Sequence, residues 1–162
     1  MPIFDKEGEY HILFTRRSDK VKVHKGEISF PGGAYEKEDA TLLDTALRES
    51  AEEIGLSPED VELLGEMDDI QTIGSNFVIS PFVGIIPWPY KFRLGPWEVD
   101  SIIEVPILAL LDTSCRSQER ETRRGQVINS YSYYYQNDVI WGASARILYQ
   151  FLDIYNRAMG GK

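Results

Sequence analysis

Residues 48–56 read Arg48-Glu49-Ser50-Ala51-Glu52-Glu53-Ile54-Gly55-Leu56. At roughly 100° per residue a helix sets Glu49, Glu52 and Glu53 on one face, while Leu43, Leu47 and Ile54 fall on another that can pack on a sheet. Carboxylates at i, i+3 and i+4 repel one another by a few tenths of a kcal/mol per pair, roughly, and they sit toward the C-terminal end, where negative charge is disfavoured. A hard divalent cation removes that conflict, because Mg²⁺ takes oxygen ligands and shares its shell with substrate phosphates. Arg48 and Glu52 are four apart, so the guanidinium can hold one carboxylate. The competing reading is a solvated acidic face.

Working outward, Phe30-Pro31-Gly32-Gly33 precedes the helix. Glycines there let the backbone turn or approach a phosphate. Asp39 or Thr41 can cap the helix and Gly55 can end it. Upstream, Ile3-Phe4 and Tyr10 to Thr15 read as strands joined by a polar turn, then Arg16 to Lys25 as a basic loop and Glu27 to Phe30 as a short strand. Downstream, strand patterns span Val61 to Ile70, Asn76 to Ile86, Ser101 to Val105, Gln126 to Gln136 and Asp138 to Trp141, with a short helix at Pro106 to Leu111. Arg116 to Arg124 alternates charge and reads as a solvated hairpin or loop. Tyr131, Tyr133, Tyr134 and Tyr135 alternate as a strand with one face in the core. Ala143 to Met159 closes as an amphipathic helix. Many strands and two main helices predict an α/β layered fold with a mixed sheet.

The whole chain has 162 residues and is read as one domain, 1–162, with 17 basic and 26 acidic side chains and a net charge of −9. No basic excess is available to neutralise a polyanion, which argues against nucleic acid or an anionic membrane as partner. A compact phosphorylated substrate remains open if a cation bridges it. The lone Cys115 excludes an internal disulfide and carries no assigned chemistry. No apolar run reaches the roughly 18 residues that span a bilayer, no signal-peptide pattern opens the chain, and a cytoplasmic setting is expected.

The stretch from Gly33 to Leu56 resembles the Nudix box: Gly33, an acid at Asp39, then Arg48-Glu49-Ser50-Ala51-Glu52-Glu53-Ile54-Gly55-Leu56. Asp39 replaces a glutamate, one extra residue separates it from Arg48, and Ser50 replaces an apolar residue. Leu13-Phe14-Thr15-Arg16-Arg17-Ser18, Lys22, Gly26 and Phe30-Pro31-Gly32-Gly33 are similar to the signature ahead of the box in coenzyme A diphosphatases, with Phe14 for leucine and Lys22 for arginine. Ile140 to Leu148 is similar to that subgroup's closing strand and helix.

The resemblance implies an α/β/α sandwich and metal-dependent hydrolysis of a nucleoside diphosphate linked to another group. Glu49 and Glu53 match metal-ligand positions, Glu52 a position that binds metal or activates water, and Arg48 the orienting arginine. Mg²⁺ or Mn²⁺ is the implied cofactor. Coenzyme A would yield 4'-phosphopantetheine and adenosine 3',5'-bisphosphate. The rivals are ADP-ribose, a dinucleoside polyphosphate or an oxidised nucleotide, and, in another class, a non-catalytic nucleotide-binding module. Arg17, Lys22 and His24 of the basic loop, with Gly32 and Gly33, are the expected substrate contacts, the loop reaching phosphates that include the 3'-phosphate of coenzyme A. Any of Asp68, Asp69, Glu98 and Glu104 could add a ligand or base. A homodimer is compatible with the sequence but not readable from it.

Overall fold

A computed structural model describes residues 1–21, 23–72, 77–123 and 126–160. In chain order the elements are β1 (Pro2–Lys6), β2 (Glu9–Arg17), β3 (Ile28–Ser29), α1 (Leu42–Ile54), β4 (Glu62–Glu66), β5 (Ile70–Gln71), β6 (Val78–Ile79), β7 (Phe82–Ile85), β8 (Val99–Pro106), α2 (Ile107–Leu111), β9 (Arg116–Arg123), β10 (Gln126–Tyr135), β11 (Asp138–Trp141) and α3 (Gly142–Ala158).

The main sheet is mixed. β2 pairs antiparallel with β1, β3 and β8, β7 joins β1 in parallel, and β4 lies antiparallel outside β7. Successive strand residues point to opposite faces, and β2 uses both. Ile12 and Phe14 enter the core shared with Leu148 and Phe151 of α3, whereas Leu13 enters a second core with Phe4, Ile54 and Leu56. The sheet is thus sandwiched between the two main helices, as an α/β fold requires. Burying a side chain such as Phe14, with no exposed surface, contributes about 2–3 kcal/mol.

Thr41, not Asp39, caps α1: its Oγ1 accepts the Asp44 N–H at 3.1 Å. Gly55 ends the helix in the left-handed region at φ 68°, and its N–H donates to the Ala51 carbonyl at 3.0 Å. The expected packing of Leu43, Leu47 and Ile54 on the sheet holds only for Ile54. Leu43 and Leu47 are half-buried and line a cavity of about 700 Å³ between α1, β7 and the start of α3.

Residues 116–123, expected as a solvated hairpin or loop, form β9. It runs antiparallel along β10 from Arg116 opposite Tyr133 to Arg123 opposite Gln126. β9 is the outer strand of a β11-β10-β9 sheet, and charged side chains suit an edge strand, where they discourage further pairing. Arg124 lies outside the described residues. The tyrosine alternation is present: Tyr133 is fully buried, Tyr134 half exposed, and Tyr131 stacks on Tyr149 at 4.2 Å between centroids. Among the described residues no helix is long and apolar enough to cross a membrane.

Candidate active site

The site gathers where the loop after β3 folds back on α1. Asp39, only 7% exposed, accepts hydrogen bonds from Arg48 Nε to Oδ1 at 2.9 Å and from Arg48 Nη2 to Oδ2 at 3.0 Å. The Glu36 N–H and the Thr45 hydroxyl also donate to Asp39 Oδ2. These bonds, the Arg48 pair first, hold the Asp39 carboxyl well below the usual carboxylate range. Arg48 Nη2 also donates to the Ala34 carbonyl at 3.0 Å, so the guanidinium ties the loop to the helix.

The remaining donor faces the acids. Arg48 Nη1 lies 3.0 Å from Glu49 Oε1 and 3.5 Å from Glu52 Oε1. Glu53 is buried, and its Oε2 accepts the Gly32 N–H at 3.1 Å. Burial pushes its carboxyl up to about 7, opposed by that N–H and the Arg17 charge and reinforced by Glu98 and Glu49. Burial also raises Glu49, against the pull of Arg48. The Glu52 side chain is 59% exposed.

Among the described residues, no three His, Cys, Asp or Glu side chains come together closely enough to hold a metal ion as they stand. Glu49 and Glu52 lean on Arg48 and Glu53 leans on Gly32. Yet each glutamate keeps one oxygen with no hydrogen bond among the described residues: Oε2 of Glu49, Oε2 of Glu52 and Oε1 of Glu53. Glu49 and Glu53 also carry charge that burial penalises. Hard, undercompensated oxygen donors on one helix face fit a divalent cation.

Arg17, at the end of β2, lines the same cavity as Gly32 and Gly33, and its buried Nε has no hydrogen-bond partner among the described residues. His24 turns away to Glu27, with Nδ1 3.0 Å from each carboxylate oxygen. Lys22 lies outside the described residues. Arg16 is engaged by Asp138. Of the downstream acids, Glu104 is paired with Lys6 at 2.8 Å and Asp69 accepts the Ser80 hydroxyl. Glu98 differs, because its charge reaches both Glu49 and Glu53. Its place follows from the loop after Phe92, which hydrogen-bonds to the end of α1 through Arg93 N–H to Ile54 O and Gly95 N–H to Glu53 O. Sequence spacing could offer Glu98 as a candidate but could not select it, since those backbone bonds carry no side-chain signature.

Comparison with known proteins agrees with the fold. The NUDIX domain family profile matches residues 1–112. The chain is 36% identical over 139 residues to the protein named uncharacterized Nudix hydrolase NudL of Photorhabdus laumondii, covering 86% of this chain and 74% of that one. The crystal structure of a MutT/nudix family protein from Enterococcus faecalis superposes with a TM-score of 0.61 at 15% identity, over 96% of this chain and 60% of the other. The Ap4A hydrolase of C. elegans, in a binary complex, superposes with a TM-score of 0.56 at 14% identity, over 66% and 76%. Likeness at such identity speaks for the fold alone.

Proposed function

The chain belongs to the Nudix hydrolase family, and from that premise we propose that it cleaves the diphosphate bond of coenzyme A or its derivatives, releasing 4'-phosphopantetheine and adenosine 3',5'-bisphosphate. Enzymes of the family are pyrophosphohydrolases that generally use divalent cations. The substrate assignment draws on the pattern from Leu13 to Gly33 ahead of the box. The observation that supports a diphosphate-containing substrate is Arg17. A guanidinium whose buried Nε has no hydrogen-bond partner among the described residues, lining one cavity with Gly32 and within electrostatic reach of Glu53, offers an unused donor to an anion.

Glu49 and Glu53, with Glu52, are the groups that would hold Mg²⁺ or Mn²⁺. A cation held there neutralises charge on the diphosphate, the main requirement of this reaction. Glu52, the most exposed of the three, is the group we assign to accept a proton from water. The water oxygen then bonds to phosphorus, and the bridging P–O bond breaks with its electron pair leaving on the departing phosphate. Arg48 positions Glu49 and Glu52 through Nη1 while Asp39 fixes its far edge. Gly32 and Gly33 bring backbone close to the phosphates, and Arg17 meets their charge.

A competition assay over coenzyme A, ADP-ribose, a dinucleoside polyphosphate and an oxidised nucleotide, with Mg²⁺ or Mn²⁺ and product identification, tests the assignment. Preferential release of adenosine 3',5'-bisphosphate from coenzyme A is expected. Preferential cleavage of ADP-ribose overturns it.

A further inference from the structure

Trp97 is 72% exposed, an unusual position for so large an apolar surface. It does not sit on a slack loop. The Glu98 and Val99 N–H groups both donate to the Gly95 carbonyl, the Ser18 N–H donates to the Glu98 carbonyl at 2.8 Å, and the Gly95 N–H donates to Glu53 O at 2.8 Å. A Cβ added at Gly95 would lie 2.9 Å from the Glu52 carbonyl oxygen, so this turn rests directly on the helix end that carries the site's carboxylates. Lys20 lies over the indole, its Nζ 5.2 Å from the ring centroid and donating to the Pro96 carbonyl at 3.0 Å. One ring face is therefore steadied by a cation, and the residue after Trp97 is the acid whose charge reaches Glu49 and Glu53.

We propose that Trp97 is the base-recognition platform of this enzyme, its exposed indole stacking on the aromatic base of the nucleotide half of the substrate, with Lys20 as the residue that positions the ring. Every base offers a π face, so an exposed indole on a turn docked against the end of the helix that carries Glu49, Glu52 and Glu53 is a sequence-tolerant seat for it. The inference rests on the reading that the substrate is a nucleoside diphosphate derivative, and it deepens that reading by naming where the nucleoside lies.

The test uses the full chain with two product probes, adenosine 3',5'-bisphosphate and 4'-phosphopantetheine, by calorimetry, together with steady-state kinetics. For W97A the expected result is about tenfold weaker binding of adenosine 3',5'-bisphosphate, unchanged binding of 4'-phosphopantetheine, a raised KM and a kcat within about twofold. W97F should recover most of the loss. K20A should raise KM by a smaller factor and change the Trp97 fluorescence in the absence of ligand. Equal binding of adenosine 3',5'-bisphosphate by wild type and W97A, or equal weakening of both probes, overturns the platform. The outcome is separable from the substrate assignment. If the wild type prefers ADP-ribose, the coenzyme A reading fails, and W97A assayed with ADP-ribose still decides the platform, because the base is common to both.

Discussion

The Glu49 carboxyl lies against Gly33 where a side chain would go: a Cβ on Gly33 would lie 2.3 Å from the Glu49 carboxyl carbon and 2.3 and 2.5 Å from its two oxygens. Gly33 is not among the glycines with positive φ, so alanine there brings no backbone strain. The clash falls on the far end of a flexible side chain, which can swing aside. Gly33→Ala should therefore fold normally and lose function by displacing the Glu49 carboxylate, one of the proposed metal ligands. The expected outcome is a melting temperature close to wild type with kcat/KM lowered by about 10²-fold. Wild-type turnover would show that Glu49 need not lie against Gly33.

The buried Glu53 carboxyl makes stability and function oppose each other. Its pKa in the folded protein is about 7, raised by burial above the ordinary value of 4.5. The folded state thus favours the neutral acid, and the metal-free protein should lose stability as pH rises from below 4.5 through 7, by up to about 3 kcal/mol. Glu53→Gln can still accept the Gly32 N–H but removes the buried charge. Without added metal at pH 8 it should melt higher than wild type, and Mg²⁺ should raise its melting temperature far less, with nearly all turnover gone. Thermal melts of both proteins across pH, with and without Mg²⁺, check the crossing.

Asp39 shows the opposite sign. Hydrogen bonds from Arg48 first, then the Glu36 N–H, hold its folded pKa below the ordinary value of 3.8. Its contribution is present above about pH 4 and is lost as pH falls below that range. Asp39→Asn should lower the melting temperature at pH 7 by several degrees and flatten the acid limb of the stability profile. It should also lower kcat, because Arg48 loses the partner that fixes it. Acid unfolding curves that coincide for the two proteins would contradict this.

The legible parts of this molecule are those whose causes are local. Thr41, Gly55 and the three glutamates mark α1 and its charged face within fifteen consecutive residues. The unbroken apolar run Ile12-Leu13-Phe14 in β2 is legible as a strand, and it fits burial on both faces of the sheet. What stayed hidden depends on distant partners. Arg116 to Arg123 carries the composition of a loop, and only its register against β10 makes it a strand. Asp39 reads as a possible cap until the loop's return path brings Arg48 onto it from nine residues away. Glu98 looks like any of four acids until backbone bonds from Arg93 and Gly95 dock its loop on the end of α1.

Glu52 should matter for chemistry and little for folding, since its side chain is 59% exposed and its one hydrogen bond among the described residues is the 3.5 Å contact from Arg48. Removing a general base costs about 10²–10⁴-fold. Glu52→Gln should lower kcat within that range while leaving the melting temperature and KM nearly unchanged. Unaltered turnover would move the proton acceptor to another acid, with Glu98 the first to substitute next.

Arg17 tests where the basic loop acts. The sequence allows it to meet any substrate phosphate, including the 3'-phosphate of coenzyme A. Its charge instead reaches Glu53, and its side chain shares a cavity wall with Gly32 and Gly33, so under the proposed function it meets the scissile diphosphate. A phosphate on the ribose lies farther along the substrate, so losing Arg17 should not depend on it. Arg17→Ala should raise KM for coenzyme A and for dephospho-coenzyme A by the same factor, about tenfold or more for a charge-assisted contact, with kcat also reduced. A penalty confined to coenzyme A would return Arg17 to the 3'-phosphate and leave the diphosphate to the backbone of Gly32 and Gly33.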